Sequence, residues 1–549
     1  MTPFLGACLL ALPCAVFWGM PRFLVFGLTL LGALFAQAPP KPSVPLAADE
    51  AAYKKALAIA APPARLAAIL RFLTDFPGSR SVPMMIARGF DAAGKAGAWN
   101  PARAVEFAAE FARRLAKASP MARSEAGTAI AAYLYEGNLS LPEAERYARQ
   151  AVKELNQDDQ LARERRWYRQ KVDLFTARDP EYQPLPFYPE EAREKYRGLE
   201  AAARSTLGRI LAKQGRDAEA RQALQKSLAA ARTADAAGAF AELAAKEGDI
   251  HTVLDALGTA ILTGKAGDDM VRKFQAAYRE AGMRPDPEAW LDRRYRNESR
   301  NPLDVAPYRG PAAEPRRAVL LEMVTGAACD PCISVDLAAD ALLRRYGRQD
   351  LVLIAHHMHP PSTDPLVSAA SVLRVEFYGV HGAPTVILDG DAIQPGEGTG
   401  AVAKPVFDAL DAAIQKRIAD PAGARIQLQA SWSGPALKVE AEVDGAQPAA
   451  DLRLQMYLVE TEVSYSGPNG IRLHPMVVRS AARMAEGGFV LKSPPLRAEW
   501  TFAVDQVPSE LRRNRLAIVA VVQDARTKRV LQSAYLPVEA PRSPSEPRP

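Results

Sequence analysis

Hydrophobic positions along this chain fall into successive rhythms. From residue 50 to 283, apolar residues recur every three to four positions in Ala-, Leu-, Arg- and Glu-rich segments. That spacing predicts amphipathic helices packed through one face. Residues 284–315, "RPDPEAWLDRRYRNESRNPLDVAPYRGPAAEP", have no apolar period and predict a linker. From Arg316 the rhythm alternates. "AVLLEMV", "DLVLIAHHM" and "PTVILDGD" predict strands, and "ISVDLAADALLRRYG", "SAASVLRVEFYGV" and "AVAKPVFDALDAAIQKRI" predict helices between and after them. Such alternation over residues 316–421 predicts an α/β layer domain. Beyond Ala424 the period becomes two, in "ARIQLQASW", "ALKVEAEVDG", "LRLQMYLVE", "LRAEWTFAVD", "RLAIVAVVQD" and "RVLQSAYLPV". This predicts an antiparallel β-sandwich over 424–541, ahead of a disordered tail at 542–549.

The helical half carries an internal echo. In "LGRILAKQGRDAEARQALQKSLA", Leu207, Gly208, Leu211, Gly215, Ala220, Leu224 and Ser227 stand at offsets that resemble a tetratricopeptide repeat. Gly248, Val253, Leu257 and Ala260 follow Gly215, Ala220, Leu224 and Ser227 by 33 residues, and Ala144, Ala148 and Ala151 keep the same spacing earlier. The resemblance implies a curved solenoid whose concave face holds a partner protein. An array of helical hairpins that only supports its neighbours is the other reading.

Ahead of these helices, residues 1–38 are apolar. Met20 followed by Arg22, "FLVFGLTLLGALF" and Ala36-Gln37-Ala38 predicts a secretory signal; an uncleaved membrane anchor is the alternative. Residues 39–49 are a Pro-rich spacer. Export to the periplasm or cell envelope, with membrane attachment through residues 1–38 if the leader stays, places the chain in an oxidising compartment. The net charge of +6 is small for 549 residues, and stretches such as "LARERRWYRQKVD" interleave acids with bases. With no ladder of basic and aromatic residues, no nucleic-acid partner is expected.

Only four cysteines occur, Cys8 and Cys14 in the leader and the pair Cys329 and Cys332 in "TGAACDPCISVD". A CxxC between an apolar strand and a helix has a specific use. The helix N-terminus stabilises a thiolate on Cys329, and Cys332, one turn later, resolves the mixed disulfide. Pro331 is tolerated because the first turn does not need its N–H. Asp330 places a carboxylate beside Cys329, which disfavours the thiolate and biases the pair toward a more reducing poise.

Strand, CxxC, helix and a later Gly382-Ala383-Pro384-Thr385, with Pro384 55 residues after Cys329, resemble the thioredoxin-like superfamily. The stretch from 317 to about 390, with its "HHMHPPSTDPL" and "YGVHGAPT", is similar to a bacterial group of exported thioredoxin-like proteins. The resemblance extends toward the β domain through "RLHPMVVR" and "VVQDARTKRVLQSA", and does not cover the helical half. It implies a cis proline at Pro384, with Ala383 and Thr385 flanking a peptide-binding edge. Ala328 departs from the pattern, standing where a tryptophan commonly precedes the first cysteine. Glu322, seven residues before Cys329, is a candidate proton acceptor or a carboxylate with a structural partner. His357 and His359 pack, tune the cysteine pKa or bond to the loop carboxylate of Asp364, or, with the two thiolates, bind zinc or copper. No resident metal is expected, and His474 reads as structural in the β domain. "DGDAIQPGEGTG" reads as a loop.

The expected fold is therefore multidomain, α + α/β + β: a helical repeat solenoid, a thioredoxin-like domain and a β-sandwich. The expected function is thiol–disulfide exchange on protein or peptide substrates with cysteines, needing no cofactor beyond the redox-active Cys329–Cys332 pair. Two alternatives stay open: a non-catalytic binding or scaffold protein with a degenerate thioredoxin-like domain, and a zinc or copper carrier.

Overall fold

The computed structural model describes residues 47–540 except 98, 179–184, 285, 300, 360, 447–450, 493–494 and 508–510. The expected leader at 1–38, most of the spacer at 39–49 and the tail at 542–549 lie outside the described residues.

Among the described residues, thirteen helices lead: α1 (Ala48–Ala58), α2 (Pro62–Asp75), α3 (Val82–Ala96), α4 (Pro101–Arg114), α5 (Pro120–Glu136), α6 (Leu141–Lys153), α7 (Gln157–Arg178), α8 (Pro189–Lys213), α9 (Asp217–Ala230), α10 (Ala234–Lys246), α11 (Ile250–Leu262), α12 (Asp268–Glu280) and α13 (Pro287–Glu298). Proline opens many of them at the first or second position, where its missing N–H costs nothing. Gly215, Gly248 and Gly282 take positive φ just past α8, α10 and α12. Each ends the first helix of a hairpin, so the 33-residue echo in the sequence is a repeated turn. Within one hairpin, a Cβ on Gly208 would stand 2.7 Å from Leu224, so only glycine allows α8 and α9 this approach.

Residues 284–315 are not a plain linker. Asp286 caps α13, Pro287 starts it, and Leu291 and Tyr295 join the core of the last hairpins. Its few apolar positions are diluted by charge, which hid the helical period.

The C-terminal half builds β1 (Val319–Thr325), α14 (Ile333–Arg345), β2 (Leu351–His357), α15 (Ala369–Tyr378), β3 (Thr385–Leu388), β4 (Asp391–Ile393) and α16 (Ala403–Ile418). β5 (Arg425–Ser433), β6 (Ala436–Asp444), β7 (Leu452–Ser464), β8 (Leu473–Ala481), β9 (Phe489–Val490), β10 (Leu496–Ala503), β11 (Leu516–Asp524) and β12 (Val530–Pro537) follow. β1 pairs in parallel with β2 and antiparallel with β3, which pairs with β4, giving the order β2-β1-β3-β4. α14 and α16 cover one face, while Val375 of α15 meets Val324 and Ile387 on the other.

No break in the sheet separates this unit from the strands that follow. Ala355 of β2 bridges Val477 of β8, and the path continues through β7 and β11 to β12. The expected division near residue 422 is thus crossed by one mixed sheet. β5, β6 and β10 form a second sheet that shares a core with Leu454, Met456 and Ile518 on one face of β7 and β11. The sequence pattern does not announce the short strands β4 and β9 or the nine-residue β8, where Pro475 and the positive φ of Met476 break the period of two. Among the described residues, no helix is long and apolar enough to cross a membrane.

Candidate functional site around the Cys329–Cys332 disulfide

β1 ends at Thr325, and Gly326-Ala327-Ala328 carry the chain to Cys329. Asp330-Pro331-Cys332 form a single 3₁₀ turn that leads into α14. Cys329 and Cys332 are joined as a disulfide, with Cα atoms 5.3 Å apart. Cys332 is fully buried and Cys329 is 4% exposed, whereas Asp330 and Pro331 face solvent. The register pairs Thr385 with Val324, so Pro384 enters β3 beside the end of β1 from which the cysteine loop departs. The Ala383–Pro384 peptide bond is cis, and Ala383, Pro384 and Thr385 are half-buried.

The cysteine loop is held through its backbone. Asp364 Oδ2 accepts the N–H of Ala327 at 2.7 Å, and Asn469 donates its N–H to Ala327 O at 3.0 Å. Beyond the pair, Gly398 N donates to Pro331 O at 2.8 Å and Gly398 O accepts from Ser334 N at 3.0 Å. The Gly-rich loop read from "DGDAIQPGEGTG" therefore grips the start of α14. It is braced in turn by Glu194, whose carboxylate accepts Ala401 N at 3.3 Å, and by the Lys171–Glu397 ion pair at 3.3 Å.

Two buried polar groups flank the pair, one on each face of the sheet. Toward α14, Asp336 lies one turn past Cys332, and its Oδ1 accepts from Thr325 Oγ1 at 2.9 Å. Burial pushes this carboxyl up to about 6; the Thr325 bond and His357 pull the other way and the Asp364 charge adds to the rise. His357 donates Nδ1–H to Asp364 at 2.9 Å, and its ring meets that of His474 edge-on at 5.2 Å. Burial, reinforced by His357, lowers His474 to about 3, so it is neutral at physiological pH. Asp364 is held below its ordinary value: burial opposes this, but the His357 bond and the N–H groups of Ala327 and Leu366 prevail.

Glu322 lies on the opposite face and is not placed to take a proton. Arg374 reaches it with two bonds of 2.7 Å, Tyr378 donates at 2.5 Å and His356 Nε2 lies 3.2 Å away. Burial alone would raise its carboxyl; the Arg374 charge and the His356 and Arg374 bonds override it and hold it at about 2. Of its two sequence readings, the carboxylate with structural partners fits. Gln523 of β11 accepts from Arg374 at 2.8 Å, so this network also ties β1 and α15 to the far strands.

His357 and His359 do not converge on the cysteines. His357 is committed to Asp364, and exposed His359 accepts the Asp364 N–H at 3.3 Å. Among the described residues, no group of three or more His, Cys, Asp or Glu is arranged to hold a metal ion. Sequence reasoning missed Asp336 and Asn469 and placed His474 away from the site, whereas the expected bond of a histidine to the loop carboxylate of Asp364 is present as His357–Asp364. One signal was available for Asp336: an acid four residues after Cys332, on the buried stripe with Val335 and Ala339.

Fold and site define a chain of helical hairpins joined to a mixed α/β sheet, with one disulfide at a helix start. No family profile matches it, and no curated protein matches its sequence. Among solved structures it is similar to HBP35 of Porphyromonas gingivalis, at 14% identity over 44% of this chain and 80% of that one, with a TM-score of 0.33. It is also similar to a domain of the outer membrane lipoprotein Omp28 from Porphyromonas gingivalis, at 18% identity over 22% and 89%, with a TM-score of 0.16. A thermophilic TPR protein of Thermus thermophilus matches at 19% identity over 42% and 98%, with a TM-score of 0.23. At these scores the likeness carries no statement about function.

Proposed function

We propose that the protein is an exported thioredoxin-like thiol–disulfide oxidoreductase acting on cysteines of proteins or peptides. The observation that carries this reading is the Cys329–Cys332 disulfide at the first turn of α14, with the protonatable carboxyl of Asp336 buried one turn beyond it. The strand order β2-β1-β3-β4, with Pro384 leading into β3 beside the cysteine loop, supports it. The composition of residues 1–38 supports export, and the hairpins of the helical half, read as tetratricopeptide-like, offer a surface for a partner protein.

In the oxidising direction a substrate thiolate attacks Sγ of Cys329. The Cys329–Cys332 bond breaks and Cys332 leaves as a thiolate. The second substrate thiolate then attacks the substrate sulfur of the mixed disulfide, freeing Cys329 and closing a disulfide in the substrate. Two electrons pass to the cysteine pair. Residues four apart on a helix have Cβ atoms about 5–6 Å apart, so Asp336 is placed to protonate the buried Cys332 thiolate as it leaves. The reducing direction runs the same steps backwards, with Asp336 taking the proton.

The test is to measure the Cys329–Cys332 redox potential and to trap mixed disulfides with Cys332→Ala. A defined potential with captured cysteine-containing proteins supports the proposal. A pair that does not exchange with small thiols leaves the binding-protein reading, and stoichiometric metal on the reduced protein favours the carrier.

A further inference from the structure

A cleft of about 390 Å³ opens between α13, α14 and β8, and neither cysteine nor Asp330 nor Pro331 is part of its lining. Its lining includes Asp336, His357 and His474, and its volume has room for about ten water molecules. We propose that this cleft is the route by which Asp336 exchanges its proton with solvent, so that the redox pair is protonated from the side of the helical half. The inference rests on the oxidoreductase reading above and adds where the proton enters.

The argument begins with what a substrate does. Cys332 is fully buried and Cys329 nearly so, and a polypeptide docked over Asp330, Pro331 and Pro384 shuts water out from that side. The proton that follows Cys332 must then travel by another path. Of the α14 residues that line the cleft, Asp336 stands nearest Cys332 along the helix.

The groups facing Asp336 suit water rather than an ionic ligand. On its own helix, Asp340 of the cleft wall pairs with Arg344 at 3.4 Å. From α13, Arg296 pairs with Glu462 of β7 at 2.5 Å, and Arg515 reaches the same carboxylate, so Glu462 offers no free negative charge. Tyr295 of α13 is also in the wall, its phenol raised by burial and by Asp336 among others. β1 contributes the Thr325 hydroxyl, and the Asp364 carboxylate is hydrogen-bonded by His357. From β8, neutral His474 is held by the Tyr465 carbonyl at 2.9 Å and brings no competing charge. Tyr295, Arg296, His474 and Glu462 belong to elements outside the β1–α16 unit, so the cleft exists only in this assembly.

The experiment uses chemical rescue. Asp336→Ala should slow thiol–disulfide exchange at pH 7 by about tenfold, and formate, entering by the cleft, should restore it several-fold. Ser299→Trp places a plug at the cleft lining, where Ser299 is half-buried. Rescue should vanish in Asp336→Ala/Ser299→Trp. Rescue that survives the plug, or no rescue at all, overturns the route. If the unmodified protein shows no exchange, the oxidoreductase reading fails instead, and a carbon-13 titration of the Asp336 carboxyl decides on the cleft alone. An upward shift in Ser299→Trp supports access through the cleft, and an unchanged titration overturns it.

Discussion

Thr325, the last residue of β1, donates its hydroxyl to Asp336 on α14 at 2.9 Å. This bond does not offset the burial of the carboxyl, which stays near 6 rather than the usual 3.8. A carboxyl raised in the folded state costs stability at neutral pH and returns it as pH falls from about 6 toward 4. Asp336→Asn should therefore stabilise the protein at pH 7.5 by about 1–3 kcal/mol, with the gain shrinking to nothing near pH 4. Urea unfolding at several pH values checks this. Destabilisation at pH 7.5 would mean that the charge is compensated in a way the surrounding groups do not show.

Glu322 has the opposite sign. Its carboxyl is depressed to about 2, so its contribution is present above the unfolded value near 4.5 and lost as pH falls through 2. Glu322→Gln leaves Arg374 buried without its counter-charge and should cost about 3–5 kcal/mol. The pH profile of thiol exchange should keep its shape in the same variant. A shifted profile would return Glu322 to the role of proton acceptor.

The contrast between these two acids shows what the sequence made legible. Cys329, Cys332, Pro384 and the strands and helices around them follow local rules of period and punctuation, and the structure contains those elements. Glu322 drew attention by lying on the approach strand, but strand alternation sends its side chain to the α15 face, away from α14. Asp336, Asp364 and the pair Asn469 and His474 come from three separate stretches and meet only through tertiary pairing. The link between β2 and β8 is the single pair Ala355–Val477, which no periodicity could reveal.

Asp330 remains exposed beside Cys329. Its charge should disfavour the Cys329 thiolate, though solvent screens the effect. Asp330→Asn should make the pair more oxidising by about 10–20 mV, since roughly 30 mV corresponds to a tenfold change in equilibrium. Equilibration with glutathione buffers measures the shift. A change in the reducing direction would contradict it.

Arg472 joins the helical half to the cysteine loop. Its buried guanidinium donates to Asp292 at 2.8 Å and Glu288 at 2.7 Å on α13, and to Ser466 at 2.8 Å. Asn469, three residues back along the chain, holds Ala327 O, two residues before Cys329. A Cβ on Gly264, at the end of α11, would overlap the carbonyl of Gly467 in the same turn. Asp292→Ala removes the buried carboxylate partner of Arg472 and leaves exposed Glu288 as the remaining ion-pair partner. Stability should fall by about 3 kcal/mol. With the 466–471 turn loosened, small thiols should reduce the Cys329–Cys332 disulfide two- to fivefold faster under conditions where the variant stays folded. A stability loss with an unchanged reduction rate would show that the brace supports the helical half without reaching the cysteines.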